Sequence, residues 1–407
     1  MIRLTDGQVT MVRSVMALEG EAHARRIVVA MSGGVDSTVA AALLKGAGYV
    51  VVGITLQLYD AGRAAGRKGA CCAGQDIHDA RRAAASLGIP HYVLDFESRF
   101  RDTVIADFAD SYVRGETPVP CVTCNRTVKF ADLLGRAQAL SAAALVTGHY
   151  AASDARGNSN RRRLLTPCDM PRDQTYFLHA TTGRQLRELR FPLGGMTKGE
   201  IRRLAQSFGL TAADKPDSQD ICFVPDGRYR DVLLKLRPEM AAPGDIVDLE
   251  GRVIGRHDGV ANFTVGQRRG LRLGGAEPLY VISLDARRRR VVAGPRRALR
   301  RRRIWLKDVN WLGPEELPLA PSGFMAHVRV RSTRPPAPAR IVREGEAWRV
   351  EIEGGEEAVS PGQACVFYER AGPGAEVFGG GRIVGSVAFA PAQVGLPEAE
   401  LEEVLAR

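Results

Sequence analysis

Ser32-Gly-Gly-Val-Asp-Ser37 combines the residue types needed to hold an oligophosphate. Its two glycines let the backbone turn so that successive N–H groups converge on one anion. A helix opening there adds the positive end of its dipole. Ser37 supplies a hydroxyl, and Asp36 a carboxylate suited to a magnesium ion. The candidate pyrophosphate cradle comprises Ala30, Met31, Ser32, Gly33, Gly34, Val35, Asp36 and Ser37. It has neither the Gly-Lys-Ser/Thr of a Walker loop nor the Gly-x-Gly-x-x-Gly of dinucleotide binders.

The chain has seven cysteines, and two of them sit in polar loops. Cys124 follows Thr117-Pro-Val-Pro120 and precedes Asn125, which reads as the N-cap of the next helix. A thiol at a helix N-terminus has a lowered pKa and is nucleophilic. Cys222 lies in Asp217-Ser-Gln-Asp-Ile-Cys-Phe223. The default for Cys71, Cys72, Cys168 and Cys365 is a small buried hydrophobe. An odd cysteine count, with no apolar signal segment in residues 1–26, points to a reducing cytoplasm. Those residues read as a ragged leader, with Met11 or Met16 as alternative starts. No run approaches the roughly 20 apolar residues of a membrane helix, so no membrane partner is expected.

The elements around these residues follow a pattern. A β-branched run, Arg26-Ile-Val-Val-Ala-Met31, leads into the cradle, and Val35, Val39 and Leu43 recur behind it at helical spacing. Further strands are expected at residues 49–55, 91–95 and 144–147, with helices at 76–87, 98–114 and 125–140 between them. This alternation predicts an α/β fold, a parallel sheet with helices on both faces. A short helix is expected at 173–181. Thr197-Lys-Gly-Glu200 reads as a capping box that starts another helix, closed by Gly209. From about residue 226, short strands and turns predict a small mixed domain. Period-two alternation at Ala326/Val328/Val330 and Trp348/Val350/Ile352 predicts a C-terminal antiparallel β-barrel. The expected domains are 1–225, 226–295 and 296–407.

Apolar residues make up 45% and charged residues 25%, which excludes bulk disorder. Lys and Arg exceed Asp and Glu by 57 to 46, a net charge of +11 that suits a polyanionic partner. Ten arginines fall within residues 287–303 and read equally as phosphate contacts or as a solvated face.

The cradle resembles the SGGxDS loop of the PP-loop ATP pyrophosphatases, which implies substrate adenylation with release of pyrophosphate. On that resemblance Leu56 packs near the adenine and Gly148 admits the nucleotide. Longer matches make the chain similar to the tRNA-specific 2-thiouridylases. They include Thr117-Pro-x-Pro with Cys124-Asn125, Val128-Lys-Phe130, Thr147-Gly-His-Tyr150, Asp173-Gln-x-Tyr-Phe177, Phe191-Pro-Leu193, Asp217-Ser-x-x-Ile-Cys-Phe223, Val265-Gly-Gln-Arg-x-Gly270 and Pro361-Gly-Gln-x-x-Val-Phe-Tyr368. The resemblance implies ATP-dependent thiolation of uridine 34 of tRNA. A sulfur-carrier protein or other persulfide donor would load Cys222, and Cys124 would resolve the persulfide.

It also implies tRNA contacts by Val119, Pro120 and Cys121 at the target base, and by His149, Arg172, Asp173, Gln174, Arg331, Ser332 and Gln363. Many relatives carry Asp where this chain has Cys121. Cys121, Cys124 and Cys222 could instead hold a [4Fe–4S] cluster, and both readings stand at this level. Other PP-loop enzymes, lysidine synthetases or amidotransferases, do not need the paired cysteines. A non-catalytic RNA-binding scaffold would not need the intact loop.

Overall fold

A computed structural model describes residues 2–59, 72–155, 161–216, 221–224, 229–274, 277–314, 322–345 and 347–388. The chain divides into two compact units. The first takes Met1–Val104, Cys121–Pro225 and Gly372–Val377; the second takes Ile105–Pro120, Asp226–Ala371 and the chain from Phe378.

The first unit is built on strands β1 (Arg26–Ala30), β2 (Val50–Gln57), β3 (His91–Asp95), β4 (Ala144–Thr147) and β7 (Leu189–Arg190), in the order β3-β2-β1-β4-β7. Every pairing is parallel. Ile27, Val28 and Val29 are fully buried, as a strand covered on both faces requires. β5 (Ala152–Ala155) and β6 (Arg162–Leu165) form a separate hairpin. The helix Val35–Gly46 buries three consecutive alanines, Ala40, Ala41 and Ala42, which let it sit close to its neighbours. Helices Cys72–Leu87 and Lys198–Ser207 pack on it. The expected capping box starts the latter: Thr197 Oγ1 accepts from Glu200 N, and Glu200 answers at Thr197 N.

Three local expectations are corrected. Residues 6–16 are not ragged: Asp6–Met16 is a helix with its own capping box, and Val12 and Met16 are fully buried. The Met16 carbonyl also accepts from Arg190 Nε at 2.6 Å. Residues 173–181 hold no α-helix. The Asp173 carboxylate binds Thr175 N and Oγ1 and turns the chain into a short 3₁₀ segment, Thr175–Phe177. The helix expected from residue 125 begins earlier, at Pro120–Cys124. Proline suits a first helical position because its missing N–H would have no partner there anyway.

The second unit carries a four-stranded sheet, order β10-β11-β8-β9, from β8 (Gly244–Val247), β9 (Val253–His257), β10 (Leu279–Asp285) and β11 (Arg290–Pro295). It also carries the expected closed barrel of β12 (Arg300–Trp311), β13 (Phe324–Arg329), β14 (Ala337–Glu344), β15 (Ala347–Glu357), β16 (Ala364–Tyr368) and β17 (Val377–Ala388). Ala326, Val328, Val350 and Ile352 point into the barrel core with Phe367 and Cys365. The arginine-rich stretch runs through β11 and into β12. It is partly neutralised locally, since Arg288, Arg296 and Arg303 pair with Asp285, Glu357 and Glu351.

Candidate active site

The cradle joins the carboxyl end of β1 to the helix Val35–Gly46. Gly33 has φ +75°, a left-handed conformation that favours glycine. A Cβ there would stand 2.2 Å from the Asp76 carbonyl oxygen. Gly34 caps the helix without any side-chain hydrogen bond. Among the described residues, the N–H groups of Gly34, Val35, Asp36 and Ser37 have no acceptor. Four such donors in a turn at a helix N-terminus form an anion nest. Ser37 Oγ accepts from Ser32 N at 3.1 Å and so ties the two ends of the loop together. Ala30, Met31 and Val35 shape the loop from below, with Met31 and Val35 buried. Leu56 is half-buried near the end of the adjacent β2.

Register places Ala30 beside Thr147, so the turn after β4 lies against the cradle. A Cβ on Gly148 would come 2.7 Å from Ser37 N. Glycine here therefore lets β4 approach the loop backbone itself. Two residues on, the buried Tyr150 donates to Asp36 Oδ1 at 2.8 Å. Lys198 Nζ bonds both Asp36 oxygens, at 2.8 and 2.9 Å. The carboxylate expected to take magnesium is thus already held by an ammonium and a phenol. Asp36 is therefore not a free magnesium ligand in this arrangement.

The second part of the site is a group of thiols around a lysine. The segment Pro120–Cys124 continues directly into a π-helical stretch, Asn125–Asp132. Lys129, on this stretch, is near enough for its charge to act on Cys124. The expectation of a helix-terminal Cys124 with a lowered pKa is overturned. Cys124 lies inside continuous helix, and burial raises its thiol pKa, with Lys129 pulling it partly back. Asn125 is no N-cap. It is buried, its Nδ2 donates to the Phe177 carbonyl at 3.1 Å, and among the described residues its buried Oδ1 has no partner.

Cys222 joins this group from its own turn. Burial, then the neighbouring Cys124, pushes its thiol up to about 12, against the pull of Lys129. Burial likewise raises Cys121, again opposed by Lys129. Cys121 and Cys222 keep access to solvent while protein surrounds them on most sides. Burial draws the Lys129 ammonium down, but Cys124, Cys121 and Cys222 more than reverse this and leave it above its ordinary value. His149 completes the surroundings. Burial, then Lys129, drives its imidazole down to about 3, so it is neutral, with Nδ1 2.8 Å from Thr147 Oγ1.

Lys129 is thus a cation whose charge acts on all three thiols and favours a thiolate formed there. Lys129→Met is expected to move the alkaline rise of thiol alkylation upward by about one pH unit or more, with Lys129→Arg restoring it. Iodoacetamide labelling of Cys124 and Cys222 across pH measures this. An unmoved profile would remove Lys129 from the site.

The cluster expectation meets the same geometry. Among the described residues, no three His, Cys, Asp or Glu side chains are arranged to hold a metal ion, and the thiols group instead about an ammonium. The described cysteines are free thiols; Cys365 is buried in the barrel core, and Cys168 is exposed rather than buried. Cys71, the side chain of Cys72 and residues 217–220 of the Cys222 motif lie outside the described residues.

The other singled-out residues sort by surroundings. Arg172 is exposed, whereas Asp173 is buried against Thr175, and Gln174 Oε1 accepts from Tyr150 N at 2.9 Å. In the second unit, Val119 is half-buried and Pro120 buried. Gln363 Nε2 donates to the Thr117 carbonyl at 2.8 Å, and Ser360 Oγ to Thr117 Oγ1 at 2.9 Å. The barrel's Pro-Gly-Gln turn therefore holds the segment that leads to Cys121. Arg331 donates to the Ala358 carbonyl, and the Ser332 carbonyl accepts from Arg329.

Family models match along the chain. A tRNA methyl transferase HUP domain covers residues 25–226, a tRNA methyl transferase PRC-barrel domain 230–295, and an aminomethyltransferase β-barrel domain 301–383. A tRNA-specific 2-thiouridylase MnmA from Bradyrhizobium diazoefficiens is 61% identical over 91% of this chain and 94% of its own. The one from Nitrobacter hamburgensis is 62% identical over 92% and 93%. This chain belongs to the tRNA-specific 2-thiouridylase family. A further member, from a Bradyrhizobium species, is 60% identical over 93% of this chain and 96% of its own.

Family motifs led to the loop and the cysteines but not to the lysines that serve them. Lys129 lies inside Val128-Lys-Phe130, where nothing local marks it as the cation of the thiols. Lys198 stood inside the capping box, and nothing local signalled its reach to Asp36.

Proposed function

We propose that this protein is an ATP-dependent tRNA-uridine 2-sulfurtransferase acting on uridine 34. The observation that carries the reading is the grouping of Cys124 and Cys222 about Lys129, in the same unit as an uncapped anion nest.

ATP seats its β- and γ-phosphates on the N–H groups of Gly34 to Ser37. The uridine O2 attacks the α-phosphorus, the bond to pyrophosphate breaks, and N3 gives up its proton. A persulfide donor has by then loaded Cys222. The terminal sulfur attacks C2, Cys124 thiolate attacks Cys222 Sγ, and the sulfur–sulfur bond breaks. A Cys124–Cys222 disulfide forms as the C2–O bond opens and AMP departs. A dithiol reductant resets the pair. Lys129 stabilises the attacking thiolate. Catalysis belongs to residues 1–225, while 226–295 and 296–407 add tRNA contacts through Arg331, Ser332 and Gln363, with Arg172, His149 and Cys121 nearer the base.

The test is nucleoside analysis of tRNA incubated with protein, ATP and a persulfide donor. 2-Thiouridine is expected from protein freed of iron by chelation. Its absence from wild type in every iron state would sink the function, and strict dependence on iron would favour the cluster reading. The net charge of +11 adds an expectation for binding. If six phosphates are neutralised, tRNA affinity should fall about 10³-fold between 50 and 200 mM salt. A flat response by filter binding would leave the arginine stretch as a solvated face.

A further inference from the structure

Lys215 stands outside everything assigned above. It follows the helix Lys198–Ser207 and precedes Cys222 by seven positions. Its Nζ donates to Asp76 Oδ1 and Asp79 Oδ2, both at 2.7 Å, and to the Gly33 carbonyl oxygen at 3.3 Å. Asp76 and Asp79 are three residues apart on the helix Cys72–Leu87, hence on one face. The same helix turn presses the Asp76 carbonyl against Gly33, where no Cβ fits. Burial lowers the Lys215 ammonium, but its bonds to Asp76 and Asp79 more than restore it, so the charge persists at neutral pH.

The consequence lies in one peptide plane. In a trans peptide the carbonyl and the following N–H point in opposite directions. Holding the Gly33 oxygen toward Lys215 therefore turns the Gly34 N–H the other way. That N–H is one of the nest donors without an acceptor among the described residues. A freely rotating Gly-Gly peptide would have to be ordered each time an anion bound, so fixing it beforehand favours binding.

We propose that Lys215 is a positioning residue. It presets the Gly33–Gly34 peptide for pyrophosphate and ties its own position, seven residues before Cys222, to the same loop. The second half rests on the sulfur-transfer reading above; the first half does not.

The experiment uses the full chain as wild type, Lys215→Ala, Lys215→Arg and Asp79→Asn. Calorimetry measures binding of inorganic pyrophosphate and ATP without tRNA, and single-turnover thiolation follows on the same preparations. Lys215→Ala is expected to weaken both anions about tenfold. It should also lower the thiolation rate at saturating ATP, with tRNA affinity unchanged. Lys215→Arg should recover most of the anion affinity. Wild-type anion affinity in folded Lys215→Ala, or equal loss in Lys215→Arg, overturns the proposal. If Lys215→Ala does not fold, Asp79→Asn decides: a loss of about two- to fivefold in pyrophosphate affinity supports the tether, and no loss overturns it. A wild type that binds pyrophosphate but never thiolates tRNA would instead remove the function. A slowed anion step with an unchanged saturated thiolation rate would overturn the second half.

Discussion

Cys222→Ser is expected to reduce 2-thiouridine formation by at least about 10³-fold, while ATP binding stays within twofold of wild type. Serine keeps the volume and turn of Cys222 but cannot carry a terminal sulfur. The nest lies on a different segment, so the nucleotide should not sense the change. Cys124→Ser should fail at a different point. Cys222 would still accept sulfur, and intact-mass analysis should find the added atom, but the sulfur would not be released and no disulfide would form. Burial raises both thiols, so unloaded protein should react slowly with alkylating agents at neutral pH. Nucleoside analysis and mass spectrometry under non-reducing conditions read these outcomes. Residual thiolation by Cys222→Ser near wild type would transfer the sulfur to another group and undo the assignment.

Gly33→Ala is expected to lower kcat/KM for ATP by about 100-fold or more, whereas its neighbour Gly34→Ala should stay within a few-fold of wild type. The contrast is geometric. At Gly33 a methyl meets a φ of +75° and a backbone oxygen at 2.2 Å. Left-handed backbone alone costs alanine about 1–2 kcal/mol. The overlap must then be relieved by moving either the loop or the helix Cys72–Leu87, and in either case the nest N–H groups lose their common aim. At Gly34, φ is −88° and the nearest contact is Ser32 Oγ at 3.5 Å, so a methyl is accommodated. Initial-rate kinetics against ATP, with denaturant unfolding to confirm that both variants fold, separate them. Equal behaviour of the two variants would mean that the turn does not shape the phosphate site.

The elements legible in the sequence were those whose cause is local. A β-branched run such as Ile27-Val-Val29 has few fates other than a buried strand, and Thr197 with Glu200 carries its own cap. The cradle was legible because an anion nest needs glycine and small polar residues in unbroken succession. What escaped was either non-local or a matter of helical pitch. Pro120 signalled a helix start that was read as loop, and this misplaced Cys124 relative to the helix terminus. The π stretch that carries Lys129 leaves no mark in apolar periodicity. Lys198 and Lys215 reach Asp36 and Asp76 across 162 and 139 residues, distances over which spacing says nothing.

Residues Gly372–Val377 belong with the first unit, although they lie far along the chain from the rest of it. The buried Glu376 pairs there with Arg161 and Arg163; the Ala375 carbonyl accepts from Thr166 N, and Ala375 N donates to Thr166 Oγ1. The schedule of synthesis follows from this. A ribosome that has finished residue 225 has made all five strands of the nucleotide sheet but not the strip Gly372–Val377. At 5–20 residues per second that strip emerges roughly 8–30 s later. Until then Arg161 lacks its Glu376 carboxylate, while Arg163 keeps its pair with Asp154. The five-stranded sheet closes without the strip, but the β5–β6 hairpin waits for the far end of the chain, and a protein cut short at residue 225 would leave that hairpin without its Glu376 contacts.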